Sequence, residues 1–308
     1  MSSWSWPVLW QPLHLFLEPG SRLYWLYLLS AGLLALLWLW RRDRDRPMRV
    51  LFDKRYWFNR STALDCGLLF GNHLIKMVLV VPWFFTRLSG ALWLSAFLHH
   101  TTGVYPNWTL SPFWLAGAFT LTLFLLDDAS RFGLHWLLHK LPWLWRIHKV
   151  HHSATSLTPI TLYRVHPLEM VLYYLRSLLV FSGVAGLFLF CFSGRINGWD
   201  MLGVNIFVFA FSCLGANLRH SPFALQFGVL EHWFISPAQH QIHHSNRSEH
   251  ADKNLGSALA IWDRMVGSWV SGREAKALQF GLIANPGSGQ SEGVPECDRG
   301  AINYSTQS

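Results

Sequence analysis

Cysteine is scarce in this chain of 308 residues: the four present, Cys66, Cys191, Cys213 and Cys297, stand far apart and form no CxxC. That spacing excludes a disulfide framework and a thiolate zinc site. Charge is scarce too, at 14% Asp, Glu, Lys and Arg, and acidic residues are in shorter supply, 17 against 25 basic ones. No carboxylate pair is placed for general acid–base work, and no serine or cysteine sits in an activated-nucleophile pattern. There is no GxGxxG opening a βαβ unit, no pterin or flavin motif and no His-Pro-Gly-Gly haem-binding segment. The opening Met1-Ser2-Ser3-Trp4-Ser5-Trp6 has neither a basic n-region nor a small-residue cleavage site, so the first apolar helix is expected to stay in the mature protein.

What the chain has in quantity is apolar surface: 51% hydrophobic residues, with 18 Trp and 22 Phe. This points to a membrane rather than a soluble globule. A net charge of +8 would suit nucleic acid, but the excess gathers at Arg41, Arg42, Arg44 and Arg46 and on to Arg60, directly after an apolar run. Such placement fits the positive-inside rule and anionic headgroups, and no nucleic-acid partner is expected.

Five apolar runs read as spans: Ser21 to Trp40, Leu64 to Phe85, Pro112 to Leu126, Leu168 to Phe192 and Trp199 to Leu218. About 20 helical residues at about 1.5 Å each cross roughly 30 Å of hydrocarbon. His73 and Lys76 inside the second run must pack inward or mark a re-entrant segment, with function at that pair the less favoured reading. Arg87 to Ser111 reads as an external connection. The arginine cluster fixes the end of the first span in the cytoplasm, and alternate threading then leaves Ala129 to Pro167 and Arg219 onward on that side. The expected fold is all-α: an integral-membrane bundle of about four or five transmembrane helices, capped by a cytosolic histidine-rich helical domain. The chain divides into 1–63, an N-terminal span with a basic loop; 64–270, the catalytic region; and 271–308, a tail expected to be mostly disordered. Trp4 to Trp10 and Trp143 to Trp145 read as interfacial anchors.

The cytosolic regions hold an unusual pattern. His135-Trp136-Leu137-Leu138-His139 precedes His148-Lys149-Val150-His151-His152, and the same HxxHH returns as His240-Gln241-Ile242-His243-His244. On a helix, positions i, i+3 and i+4 share a face, so each HxxHH can aim three imidazoles at one locus and the HxxxH two more. These eight histidines exceed the needs of one ion. A neutral-imidazole site leaves the metal electrophilic, and iron, unlike zinc, can deliver electrons to dioxygen. Two readings from other classes compete: a histidine-rich metal transporter or storage protein, and a bis-histidine haem protein for quinone electron transfer.

The run from Asp128 through His139, Pro142 and Leu144-Trp145-Arg146-Ile147-His148 to Ser153 resembles the fatty acid hydroxylase/sterol desaturase superfamily. So do Asn217-Leu218-Arg219-His220-Ser221, Ser236 to Ser245, Asp252 to Gly256, and Trp262-Asp263-Arg264-Met265-Val266-Gly267. The resemblance covers roughly residues 64 to 270. It implies a non-haem di-iron membrane oxygenase that uses O2 to hydroxylate or desaturate a sterol or a fatty acyl or alkyl lipid. The implied iron ligands are His135, His139, His148, His151, His152, His220, His240, His243 and His244. A tenth position, a histidine in some relatives, is Ala216 here and leaves Asn217 and His232 as candidates. Asp128, Glu231, Asp252 and His166 are candidate supports for those ligands. Electrons are expected from a separate protein of the reductase, ferredoxin or cytochrome b5 kind. Brevity and the lack of a retention signal favour a bacterial inner membrane over the endoplasmic reticulum.

Overall fold

The computed structural model describes residues 13–42, 53–80, 86–201 and 203–282. Arg44 and Arg46, the Trp4 to Trp10 anchors, Cys297 and the tail from 285 lie outside the described residues. The architecture is mostly helical: α1 (Trp25–Arg42), α2 (Lys54–Trp57), α3 (Arg60–Ile75), α4 (Arg87–Thr102), α5 (Pro112–Lys140), α6 (Pro142–His152), α7 (Pro167–Cys191), α8 (Ile206–Cys213), α9 (Pro237–His243) and α10 (Ile261–Val266). Short 3-10 turns join them, and one two-stranded hairpin pairs Asp200–Met201 with Val204–Asn205.

Local chemistry sets the ends of these helices. The Asn59 side chain accepts from the Thr62 amide at 2.9 Å to start α3, and Thr86 does the same for Ser89 at the head of α4. Pro112, Pro142, Pro167 and Pro237 each occupy a first-turn position of a helix, where the missing N–H costs nothing. At Leu141 the chain turns extended, so the helix carrying HxxxH stops and the helix carrying the first HxxHH restarts one residue later.

Two helices are long and apolar enough to cross a bilayer, α5 with 29 residues and α7 with 25. The α5 rod is about 43 Å long, so the third expected span and the HxxxH box form one unbroken helix. Apolar side chains point outward along this bundle, among them Leu29, Leu33 and Trp40 of α1, Leu92, Trp93 and Phe97 of α4, and Leu179 and Leu187 of α7. Surfaces this apolar belong against lipid, and the protein is a membrane protein.

The structure departs from the expected threading in two places. The segment 87–102 is helix α4, not a loop, and it lies parallel to the second half of α7. Small residues allow the close approach: a β-carbon on Gly186 would come within 2.9 Å of the Ala91 carbonyl, and one on Gly90 would strike Ser182. The expected fifth span is helical over only 8 residues, α8. Gly203 and Gly215, at φ of 77° and 90°, bend the chain on either side of it. The first expected span is an 18-residue helix, and α1 packs Ala31, Ala35 and Leu39 on Leu218 beside the second set of boxes.

Candidate metal centre

The histidines converge. Ring nitrogens of His135, His139, His148, His152 and His243 all lie within 4.8 Å of one another, as do those of His151, His220, His240 and His244. The groups interleave: α5 gives His135 and His139, while α6 sends His148 and His152 to the first group and His151 to the second. The α9 box divides likewise, His243 to the first group and His240 and His244 to the second. His220 arrives from the 3-10 turn Ala216–His220, for which Gly215 provides the left-handed entry. The two groups abut, since the His151 and His244 ring centroids are 4.7 Å apart, as are those of His152 and His244.

Each ring is turned so that Nε2 faces inward. Nε2 of His135 lies 3.1 Å from Nε2 of His148, and Nε2 of His220 lies 3.1 Å from that of His244 and 3.2 Å from that of His240. Nε2 of His139, His152 and His243 is buried with no protein partner. On five of the rings the opposite nitrogen is engaged: Nδ1 of His135 donates to the Leu255 carbonyl at 2.7 Å, Nδ1 of His151 to the Arg164 carbonyl at 3.1 Å, and Nδ1 of His243 to the Lys253 carbonyl at 2.9 Å. Two carboxylates complete the shell, Glu169 on Nδ1 of His148 at 2.9 Å and Asp252 on Nδ1 of His139 at 3.2 Å. A proton fixed on Nδ1 leaves the Nε2 lone pair free, and this outer support is the usual companion of a ligating imidazole.

Burial keeps the rings neutral. His148, His152, His220, His240, His243 and His244 are all held well below the usual histidine range, chiefly by desolvation, and His151 falls to about 4 for the same reason. Asp252 is pulled down to about 2, first by its hydrogen bond from His139. Buried neutral lone pairs in two clusters, with few carboxylates in reach, fit borderline divalent ions such as iron and give no binding geometry for a hard oxygen-seeking cation.

His232 does not join either group. It is exposed, stacked on Trp269 at 4.9 Å, and its carbonyl accepts from Arg264. Asn217, the other candidate for a tenth position, donates its amide to the Arg22 carbonyl at 2.7 Å. The other supports also sort out. Asp128 accepts from the amides of Ala258 and Leu259 and from the Trp262 indole; Glu231 accepts from Ser236 and Gly272; His166 caps α7 by accepting from the Leu168 amide. These hold the fold around the histidines without touching them. Trp145, read as an interfacial anchor, instead packs over His139 and His152 at 5.2 and 5.4 Å, while Trp143 is exposed.

Three contributors escaped the sequence reading. Glu169 stands in an apolar helix, 17 residues beyond the nearest box, and only the packing of α7 on α6 brings it to His148. Arg164 supplies its carbonyl to His151 while its guanidinium is locked by Asp65 at 2.5 Å and by Ser61 and Ser153. A lone acid in an apolar run was the one available signal for both Asp65 and Glu169. A cavity of about 630 Å3 reaches from His135, His148, His151, His220 and His240 out to Glu18, His73 and Lys76.

Residues 120–268 match the fatty acid hydroxylase family, and all nine clustered histidines fall within that stretch. The matched stretch, just under half of the chain, resembles the fatty acid hydroxylase/sterol desaturase superfamily. Among the chain's relatives are alkylglycerol monooxygenase of Danio rerio, 29% identical over 57% of this chain and 33% of that protein, and ornithine lipid hydroxylase OlsE of Rhizobium tropici, 26% identical over 52% and 45%. Cholesterol 25-hydroxylase of Rattus norvegicus is 31% identical over 52% of this chain and 50% of its own length. The chain thus spans half or less of the relatives it matches. No solved structure matches it.

Proposed function

We propose that the protein is a membrane lipid hydroxylase whose catalytic region, 64–270, holds two irons: His135, His139, His148, His152 and His243 would carry one, and His151, His220, His240 and His244 the other. The observation that carries this reading is the division of nine buried rings into two sets, with His135, His139, His148, His151 and His243 backed on Nδ1 by a carbonyl or a carboxylate. The relatives named above are an alkylglycerol monooxygenase, an ornithine lipid hydroxylase and a cholesterol 25-hydroxylase, names that favour hydroxylation over desaturation here.

When bound, the iron pair would supply the activation of dioxygen, for the balance R–H + O2 + 2e− + 2H+ → R–OH + H2O. The protein's own part is positional. Glu169 and Asp252 hold His148 and His139 in one tautomer and orientation, and the apolar walls of the cavity admit a lipid carbon while limiting water. No flavin, haem or pyridine-nucleotide motif is present in the sequence, so the electrons would come from a separate donor protein. The histidine end of the bundle would face the cytoplasm of a bacterial inner membrane.

The test is to purify the protein in detergent, measure iron per chain, and incubate it with total membrane lipid, a reductase–ferredoxin pair and 18O2. About two irons per chain and an 18O-labelled lipid are expected. Iron-free protein with tightly held zinc, or turnover that incorporates no label, would refute the proposal.

A further inference from the structure

An arginine in the wall of the cavity lacks a counter-charge among the described residues. Arg22 lies in the loop just before α1, held there by two ties: Asn217 donates to its carbonyl at 2.7 Å, and the neighbouring Ser21 hydroxyl meets the Tyr163 hydroxyl at 3.2 Å. Its guanidinium lines the cavity, 5.9 Å from the centre of the Phe211 ring. Among the described residues no carboxylate pairs with it and no acceptor bonds to its side chain.

The surroundings deepen the imbalance. Arg219 lies over the same Phe211 ring at 4.8 Å, its guanidinium bonded to the carbonyls of Ser257 and Ile235 rather than to an acid. Arg131, a further like charge that acts on Arg22, shares Asp127 with Arg176. Asp128 is already committed to three N–H donors, and Glu169 to His148. Glu18 stands farther out, exposed at the mouth with His73 and Lys76. A desolvated arginine without a counter-charge is costly unless a ligand supplies one.

We propose that Arg22 is the recognition point for an oxyanion, carboxylate or phosphate, on the lipid substrate, so that this enzyme acts on an anionic lipid and oxidises a carbon close to its charged group. The second half of the claim follows from position. Asn217, which grips Arg22, precedes His220 by three residues of a 3-10 turn, about 6 Å along its axis. The cavity that Arg22 lines also reaches His220 and His240, so a headgroup seated on the guanidinium shares that space with the histidines. The inference rests on the hydroxylase reading for the oxidation step but not for the binding.

Binding is measured on metal-free protein in detergent by displacement of a fluorescent fatty acid, with oleate, lysophosphatidate, oleyl alcohol and inorganic phosphate as competitors. Oleate or lysophosphatidate is expected to bind about tenfold or more tightly than oleyl alcohol. Arg22→Gln abolishes that preference without weakening the alcohol, and Arg22→Lys retains part of it. Equal affinity for alcohol and anion in the natural protein, or an anion preference that survives in Arg22→Gln, would overturn the proposal. Competition by inorganic phosphate as strong as by lysophosphatidate would equally overturn it, since the site would then read a free anion. A variant that loses the alcohol as well has lost its fold, and Arg22→Lys then decides: unaltered discrimination there counts against the claim, weakened discrimination for it. Because no iron is present, the result stands apart from whether the protein proves to be an oxygenase.

Discussion

Glu169 and Asp65 show how much a single carboxylate can do in an apolar setting. Glu169 orients His148, one of five rings in the first cluster. Glu169→Gln keeps the shape but weakens the acceptor, and iron affinity is expected to fall roughly 10–100-fold, read by competition with a coloured chelator. Asp65 acts one step farther back: it pins the Arg164 guanidinium, and the Arg164 carbonyl in turn fixes His151. Asp65→Ala strands a buried cation, a loss of about 3–5 kcal/mol, measured as a lowered unfolding midpoint. His232 and His220 make a matched pair of controls, both histidines of the same C-terminal half. His220→Ala is expected to reduce the iron count from about two per chain to about one, while His232→Ala, on the exposed Trp269 stack, leaves it unchanged.

Among the elements, α4 and α7 depend on small residues where their backbones meet. Gly186 faces the Ala91 carbonyl and Leu94, each within 2.9 Å of where a β-carbon would stand. Neither backbone can give way easily, so Gly186→Leu is expected to cost about 1–3 kcal/mol and to lower the thermal midpoint of the purified protein. The element boundaries around the boxes were legible because proline marks them: Pro142 and Pro237 open the helices that carry the two HxxHH motifs. The helix α4 was not legible. His99, His100 and Arg87 read as signs of a loop, yet Gly103 closes a regular helix there in a left-handed turn. Its outward face is apolar and its inward face is small, a pattern that membrane packing produces and that a polarity count misreads.

At the scale of the whole molecule, the nine rings gather at one end of α5, where α6, α9 and the 216–220 turn converge. A metal that binds only this assembled arrangement stabilises it by mass action, by about 2.7 kcal/mol at a hundredfold excess over the dissociation constant. Dialysis against a strong iron chelator is therefore expected to lower the unfolding midpoint, and iron but not magnesium to restore it.

Sequence alone determined the helical class, the membrane setting and eight of the nine clustered histidines, because each rests on short-range periodicity: apolar stretches for the bilayer, and i, i+3, i+4 spacing for the imidazoles; His220 came from the family resemblance, which also offered His232, a residue in neither cluster. It could not divide the rings between two clusters, since each HxxHH box serves both and the assignment depends on how α6 and α9 face each other. Nor could it find Glu169, Arg164 or Arg22, which lie 17, 12 and 113 residues from the nearest box histidine along the chain and reach the site through helix packing. Those contacts arise from long-range pairing of elements, and only the tertiary fold decides which distant polar group an apolar helix carries to the centre.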